Sequence, residues 1–176
     1  MTIRAALLQL LDERECHGYQ LKVEFEARTG GLWPLNVGQV YTTLDRLVRD
    51  GMVAEDGTAD AKQRTYRITE DGRSEVKAWL SASSADATPP RDELIMKVLL
   101  AIGSGHDEAM QVIDDQRSTL LSVLQMGRRR QRAIGDPTSA EALAQDARLS
   151  RVEADVRWLD RCEERLRAAT PEEGTR

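Results

Sequence analysis

The order of apolar and polar residues predicts three helices near the start of the chain. Apolar residues recur every three or four positions over residues 2–14 and again over residues 19–28, which is the spacing of helices that bury one face. A break at His17 separates these two helices, and a pair of glycines ends the second. A third helix begins at Asn36, after an extended approach that Pro34 favours, because a residue before proline avoids helical backbone angles.

This third helix is predicted to have two different faces. The apolar residues form one stripe: Val37, Val40, Leu44, Leu47 and Val48. The opposite face carries a glycine, polar residues and arginines: Gly38, Gln39, Thr42, Arg46 and Arg49. Asn36 is a good N-cap, and Gly51 ends the helix. Such a helix is suited to the major groove of DNA, although ordinary surface helices show the same pattern.

The polar face divides into expected base contacts and expected phosphate contacts. Gln39 and Thr42 lie near the start of the helix and are predicted to contact base edges, and Gly38 lets the backbone approach closely. Arg46 and Arg49 are predicted to hold phosphates. The alternative role for Gln39 is that of a helix cap only.

Two tyrosines and one aspartate near this face each have two interpretations. Tyr19 either presents its hydroxyl to the DNA backbone or packs within the protein. Tyr41 either reaches a phosphate or lies at the edge of the core. Asp45 either pairs with Arg49 one turn later or accepts a hydrogen bond from a cytosine amino group.

A β-hairpin is predicted directly after the third helix. Residues 53–55 and 63–68 favour strands, a polar loop at residues 56–61 joins them, and Thr69 is expected to cap a fourth helix. Positive charge on the hairpin, placed to meet phosphates or the minor groove, comes from Lys62, Arg64 and Arg67. Three helices followed by a two-stranded hairpin make a winged helix-turn-helix. The alternative for the hairpin charges is a solvated surface.

The second half of the chain is predicted to be helical. A small, polar, proline-containing linker at residues 81–91 leads to helices at residues 93–102 and 106–134. A last long helix opens near Thr138, which with Glu141 favours a capping box. Its apolar seam is predicted to form a homodimer interface and consists of Leu149, Val152, Val156, Leu159 and Leu166, with one polar place at Glu163. The alternative is intramolecular packing onto the winged helix.

Composition limits the classes of function. The net charge is −5, and residues 1–80 hold 11 Lys and Arg against 13 Asp and Glu, so DNA affinity must come from the placement of charge. No apolar run reaches the roughly 20 residues of a membrane span, and no signal peptide is visible, which predicts a cytoplasmic protein. Cys16 and Cys162 are expected to be unpaired thiols. No enzyme motif, metal-ligand spacing or cofactor motif is present in the sequence.

Several short motifs occur in order over about residues 3–80. They are Ala6-Leu7-Leu8, His17-Gly18-Tyr19-Gln20-Leu21, Asn36 to Tyr41 with Leu44, Arg46-Leu47 and Gly51-Met52-Val53, Arg64 to Gly72, and Trp79. With these motifs, the first half of the chain resembles the PadR-like family of bacterial transcriptional regulators.

The residue patterns and the resemblance together predict a mainly α-helical protein with four parts. These are a winged-helix DNA-binding domain at residues 1–80, the linker at 81–91, a helical dimerisation and effector domain at 92–168, and a disordered tail at 169–176. The resemblance also implies a homodimeric repressor that binds a palindromic double-stranded DNA operator and responds to a small-molecule effector. Trp33 and Trp158 are candidates for lining an effector pocket.

Two points from the residues themselves stay open. A protein–protein interaction module that uses the winged helix and the helical arm without DNA is the alternative function. The arginine cluster at residues 128–132 invites a nucleic-acid interpretation, but a solvated or salt-bridged helix face is the preferred one.

Overall fold

The computed structural model describes residues 2–56, 64–83 and 92–169. Lys62, most of the predicted linker (residues 84–91) and the tail from residue 170 lie outside these ranges. The chain divides into one unit of residues 1–85 with 139–141 and a second unit of residues 86–138 with 142–176. No helix in the described ranges has the length and apolarity needed to cross a membrane.

The N-terminal unit is built from helices and short strands. Its elements are α1 (Thr2–Glu13), β1 (Cys16–His17), α2 (Gly18–Arg28), α3 (Val37–Arg49), β2 (Val53–Asp56), β3 (Thr65–Ile68) and α4 (Glu70–Ser81). One core joins them, with Leu7, Leu21, Leu44 and Leu47 each fully buried. The winged helix-turn-helix predicted from the sequence is confirmed.

The sheet contains a strand that the sequence pattern did not predict. β3 lies in the middle, between β2 and β1, and both neighbours are antiparallel to it. In β1, Cys16 pairs with Tyr66 and His17 with Thr65. The prediction of a break at His17 was therefore incomplete. Two residues are too few to display the alternation by which a strand is recognised in sequence.

The junction between the wing and α4 depends on Thr69 and Gly72. The Thr69 hydroxyl donates to the Gly51 carbonyl at 2.8 Å and accepts from the Gly72 amide at 3.2 Å, which caps α4 as predicted. A Cβ atom at Gly72 would lie 2.3 Å from the carbonyl oxygen of Met52. This close approach explains the glycine three residues after the threonine.

The C-terminal unit is built from three helices, α5 (Glu93–Ser104), α6 (His106–Ala133) and α7 (Ala140–Ala169). Val98, Ile113 and Leu159, one from each helix, form its buried core. The start of α7 differs from the prediction, because Asp136 Oδ1 accepts hydrogen bonds from both the amide and the hydroxyl of Thr138. Thr138 therefore belongs to the turn before α7, which begins at Ala140.

Candidate nucleic-acid interface

Helix α3 is held at both ends by the local sequence. At its start, the Asn36 side chain accepts a hydrogen bond from the Gly38 amide at 2.8 Å. At its end, Gly51 has a φ of 76°, a left-handed conformation that favours glycine. Val40, Leu44 and Leu47 are buried as predicted, whereas Val37 is 40% exposed and does not belong to the buried stripe. Val37 is the first residue of the helix.

The residues predicted to contact bases lie on the solvent-facing side of α3. Gly38, Gln39 and Thr42 are all exposed. The Thr42 hydroxyl donates to the Gly38 carbonyl at 2.9 Å, which leaves its oxygen available as an acceptor. Among the described residues, the Gln39 amide has no hydrogen-bond partner, and the N-cap contact of α3 comes from Asn36. The capping role considered for Gln39 is therefore not observed.

The basic residues near α3 differ in how far other side chains already neutralise them. Arg46 makes no ion pair with any residue in the described ranges, whereas Arg49 Nε lies 3.9 Å from Asp50. On the wing, Arg64 pairs with Glu55 at 3.1 Å and Arg67 lies 3.6 Å from Glu15. Both wing arginines must loosen an internal contact before they neutralise a phosphate completely.

The two tyrosines have different environments. Tyr19, in the first turn of α2, is 61% exposed, so its hydroxyl is accessible to a ligand. Tyr41 is half-buried against the core, and its ring lies against Gly18, where an added Cβ would be 2.6 Å from Cε1. The core-edge role of Tyr41 is therefore present, and it explains why glycine follows His17.

Asp45 does not form the ion pair with Arg49 that was one of its two interpretations. Its carboxylate is exposed and has no ion-pair partner among the described residues. It lies close enough to Tyr66 to help raise the pKa of that phenol, although burial is the larger cause. The Tyr66 hydroxyl is buried and has no hydrogen-bond partner in the part of the chain described.

Arg4 is a supporting residue that the sequence analysis missed. It joins three helices, because its guanidinium bonds Asp50 after α3 at 2.5 Å and Glu75 on α4 at 2.8 Å. The hydrogen bonds from Arg4 lower the pKa of the Glu75 carboxyl. The sequence feature that could have revealed this role is a lone arginine among the apolar residues of α1.

The approach to α3 is supported by Glu26 on α2. Its carboxylate accepts from the Leu35 amide at 2.9 Å and from Lys22 Nζ at 2.7 Å. These hydrogen bonds, that of Lys22 first, lower the pKa of the Glu26 carboxyl. The segment that leads into the N-terminus of α3 is thereby fixed to α2.

Comparison with known proteins identifies the N-terminal unit. Residues 7–78 match the sequence model of the transcriptional regulator PadR-like family. The chain carries a PadR-like domain. The resemblance stated from the sequence is thus confirmed.

The similarity to PadR-like proteins extends beyond that domain. The negative transcriptional regulator PadR of Bacillus subtilis (strain 168) is 25% identical over 170 residues, which are 90% of this chain and 93% of that protein. The crystal structure of Bacillus subtilis PadR in complex with operator DNA matches with a TM-score of 0.66 at 22% identity, over 94% of this chain and 99% of that one. The same protein in complex with p-coumaric acid matches with a TM-score of 0.64 at 24% identity, over 93% and 94%. The first of these relatives is named as a negative transcriptional regulator.

The predicted dimerisation residues occupy two different environments. Leu159 is fully buried and Leu149 is 5% exposed, both within the chain's own helical unit, so their burial requires no second chain. Val152, Val156 and Leu166 are half-buried. Glu163, the polar residue of the seam, also has a partner within the chain, because it forms an ion pair with Arg117 of α6.

The two tryptophans proposed as effector contacts also differ. Trp158 packs against the core of the C-terminal unit. Trp33 is 55% exposed in the segment between α2 and α3. Trp158 therefore has the structural role expected of a core tryptophan.

Proposed function

We propose that this protein is a homodimeric, sequence-specific DNA-binding repressor that releases its operator when a small molecule binds. The observation that carries the proposal is the exposed polar face of α3. It presents Gln39 without an internal partner and Arg46 without an ion pair among the described residues. Side chains that have no internal partners are available for base edges and phosphates.

The related proteins support this direction of regulation. The Bacillus subtilis relative that spans most of the chain is a negative regulator. Its structures in complex with operator DNA and with p-coumaric acid give the precedents for a DNA ligand and for a small organic effector. Repression that is relieved by an effector is the simplest scheme that accounts for negative regulation, binding of operator DNA and binding of a small organic molecule in that relative.

A second copy of the chain is the partner that we propose for α5. Several large apolar residues of this helix are exposed: Ile95, Met96, Leu99, Leu100 and Ile102. Leu100 is 74% and Leu99 59% exposed, which is costly for leucines in a helix that faces water. With Leu149 and Leu159 buried internally, we propose that α5 and the half-buried part of the α7 seam form the dimer interface.

A gel-shift titration with the DNA upstream of the protein's own gene tests the proposal. We expect retardation at low salt, a steep loss of affinity as salt rises, and repression of a reporter placed behind the same DNA. The protein–protein alternative predicts no retarded species for any upstream fragment at low salt. Activation of the reporter would contradict the repressor assignment while leaving DNA binding intact.

A further inference from the structure

Helix α3 carries one exposed stripe along most of its length. The residues of the stripe recur at intervals of four, three and four positions, which places them on a common side of a helix: Gly38, Thr42, Asp45 and Arg49. All four are exposed, and the buried residues of α3 lie on the opposite side. An acidic residue, Asp45, therefore lies within the surface that is proposed to face DNA.

Asp45 has no partner on its own helix. The arginine one turn later, Arg49, has its Nε 3.9 Å from Asp50 instead. The Asp45 carboxylate forms no ion pair with any residue in the described ranges and is exposed to solvent. An ionised carboxylate only accepts hydrogen bonds, so a partner for Asp45 must be a donor.

The wing arginine that lies near Asp45 already has an acidic partner. Burial raises the pKa of the Tyr66 phenol on β3, the charge of Asp45 raises it further, and the charge of Arg64 lowers it. Both charges therefore lie close to the same phenol. Because Arg64 forms an ion pair with Glu55 at 3.1 Å, the described part of the wing leaves the negative charge of Asp45 in place.

A carboxylate at this position disfavours DNA in general and suits one base in particular. The phosphates of the duplex repel it, and only a hydrogen-bond donor compensates for that repulsion. In the major groove, the amino groups of cytosine and adenine are the donors on the base edges. Adenine presents the acceptor N7 beside its amino group, whereas cytosine presents no acceptor of its own there. Cytosine is therefore the base that best matches an isolated carboxylate.

We infer that Asp45 selects cytosine at one position of the DNA sequence that α3 reads, with its carboxylate accepting a hydrogen bond from the N4 amino group. The inference deepens the proposed function and rests on it, because it requires α3 to enter the major groove. Guanine and thymine present acceptor atoms in that groove, so the same carboxylate repels them. Asp45 therefore contributes to sequence preference and lowers the affinity for DNA that lacks the cytosine.

Selection from a library of DNA duplexes with the full-length protein tests the inference. The duplexes carry a randomised segment, and the bound fraction is sequenced for the wild type and for Asp45→Ala. We expect the wild type to favour cytosine about tenfold at one position of the recovered motif. Asp45→Ala should lose this preference and keep the preferences at the other positions. A wild-type motif without any C·G pair, or a cytosine preference that survives in Asp45→Ala, would overturn the inference.

A carboxamide at the same position makes the test sharper. Asp45→Asn adds a donor beside the acceptor, and an asparagine pairs with both N6 and N7 of adenine. The preferred base at that position should therefore change from cytosine to adenine. Asp107→Ala, which removes the same charge from an exposed position on α6, should leave the motif unchanged. If Asp45→Asn and Asp45→Ala only raised the affinity for all duplexes by a common factor, Asp45 would be a general repulsive charge and the inference would be wrong.

Titrations with single duplexes separate this inference from the proposed function. Two duplexes that differ only in the selected C·G pair are compared with one of unrelated sequence. If the wild type binds both members of the pair equally but more tightly than the unrelated duplex, the inference fails and the proposed function stands. If no duplex is bound at low salt, both fail. A tenfold difference within the pair that falls below about twofold in Asp45→Ala supports both.

Discussion

At the scale of single residues, the side chains proposed to contact DNA divide according to whether they already have partners within the protein. Gln39 and Arg46 are exposed and lack internal partners for their side chains among the described residues. Arg64 and Arg67 belong to ion pairs with Glu55 and Glu15. A side chain without a partner makes a contact with DNA without first breaking one inside the protein. Residues of α3 should therefore contribute more to DNA affinity and specificity than those of the wing.

Replacement of Gln39 tests base recognition. Gln39→Ala should relax the sequence preference by about 1–3 kcal/mol at the contacted position, because the amide no longer pairs with a base edge. The measurement is a competition titration with operator variants. Gln125→Ala, an exposed glutamine of α6, is the matched control. An unchanged preference in Gln39→Ala would remove this residue from the interface.

Replacement of the arginines tests the phosphate contacts. Arg46→Ala should weaken binding to all sequences alike and reduce the salt dependence by about one charge. Arg64→Ala should act in the same direction but less strongly, since Glu55 already neutralises part of its charge. Binding isotherms at several salt concentrations give both quantities. If Arg64→Ala changed the sequence preference while Gln39→Ala did not, the two roles would be reversed.

At the scale of elements, the wing and the recognition helix are fixed by short contacts around α4. Thr69 and Gly72 connect α4 to the segment that follows α3, and Arg4 connects the end of α3 to α4. The orientation of α3 therefore depends on residues outside the proposed DNA-binding surface. Changes at these positions should affect stability first.

Gly72→Ala is the most direct test of that junction. The added Cβ would lie 2.3 Å from the Met52 carbonyl oxygen, and a backbone atom there cannot move cheaply. We expect a loss of about 2–3 kcal/mol in the free energy of unfolding, in the upper part of the usual range for point mutations. Gly103→Ala on α5, where nothing lies within 4 Å, should be neutral or stabilising. Equal unfolding temperatures for the two variants would contradict the requirement for glycine at position 72.

Sequence alone predicts the elements that have a long repeat. The recurrence of Val40, Leu44 and Leu47 identifies α3 because a stripe of that length has one simple interpretation. β1 could not be predicted because two residues are too few to show a periodic pattern. The burial of Leu159 within its own chain also could not be predicted. A heptad seam has the same sequence pattern whether α5 and α6 or a second chain cover it. Lys62 lies outside the described residues, so its role remains a prediction.

At the scale of the whole molecule, the proposed dimer makes DNA recognition depend on the apolar surface of α5. Leu100→Lys should shift the protein from dimer to monomer in sedimentation experiments, because a charge in an apolar interface is desolvated without a partner. Operator affinity should fall with it, since each half-site then binds one chain alone. Leu143→Lys, a comparably exposed leucine on α7, is the control. If the Leu100→Lys variant remained a stable dimer, the interface would have to lie on another surface.

The central claim is that α3 reads an operator in the major groove. Footprinting of the purified protein on the intergenic DNA beside its gene tests it most directly. We predict two protected half-sites, separated by about 10 base pairs or a multiple of that distance, as two copies of one recognition helix require. Protection should weaken in the Gln39→Ala variant while the protein remains folded. The absence of any protected sequence at low salt, or equal protection by the wild type and Gln39→Ala, would contradict the claim.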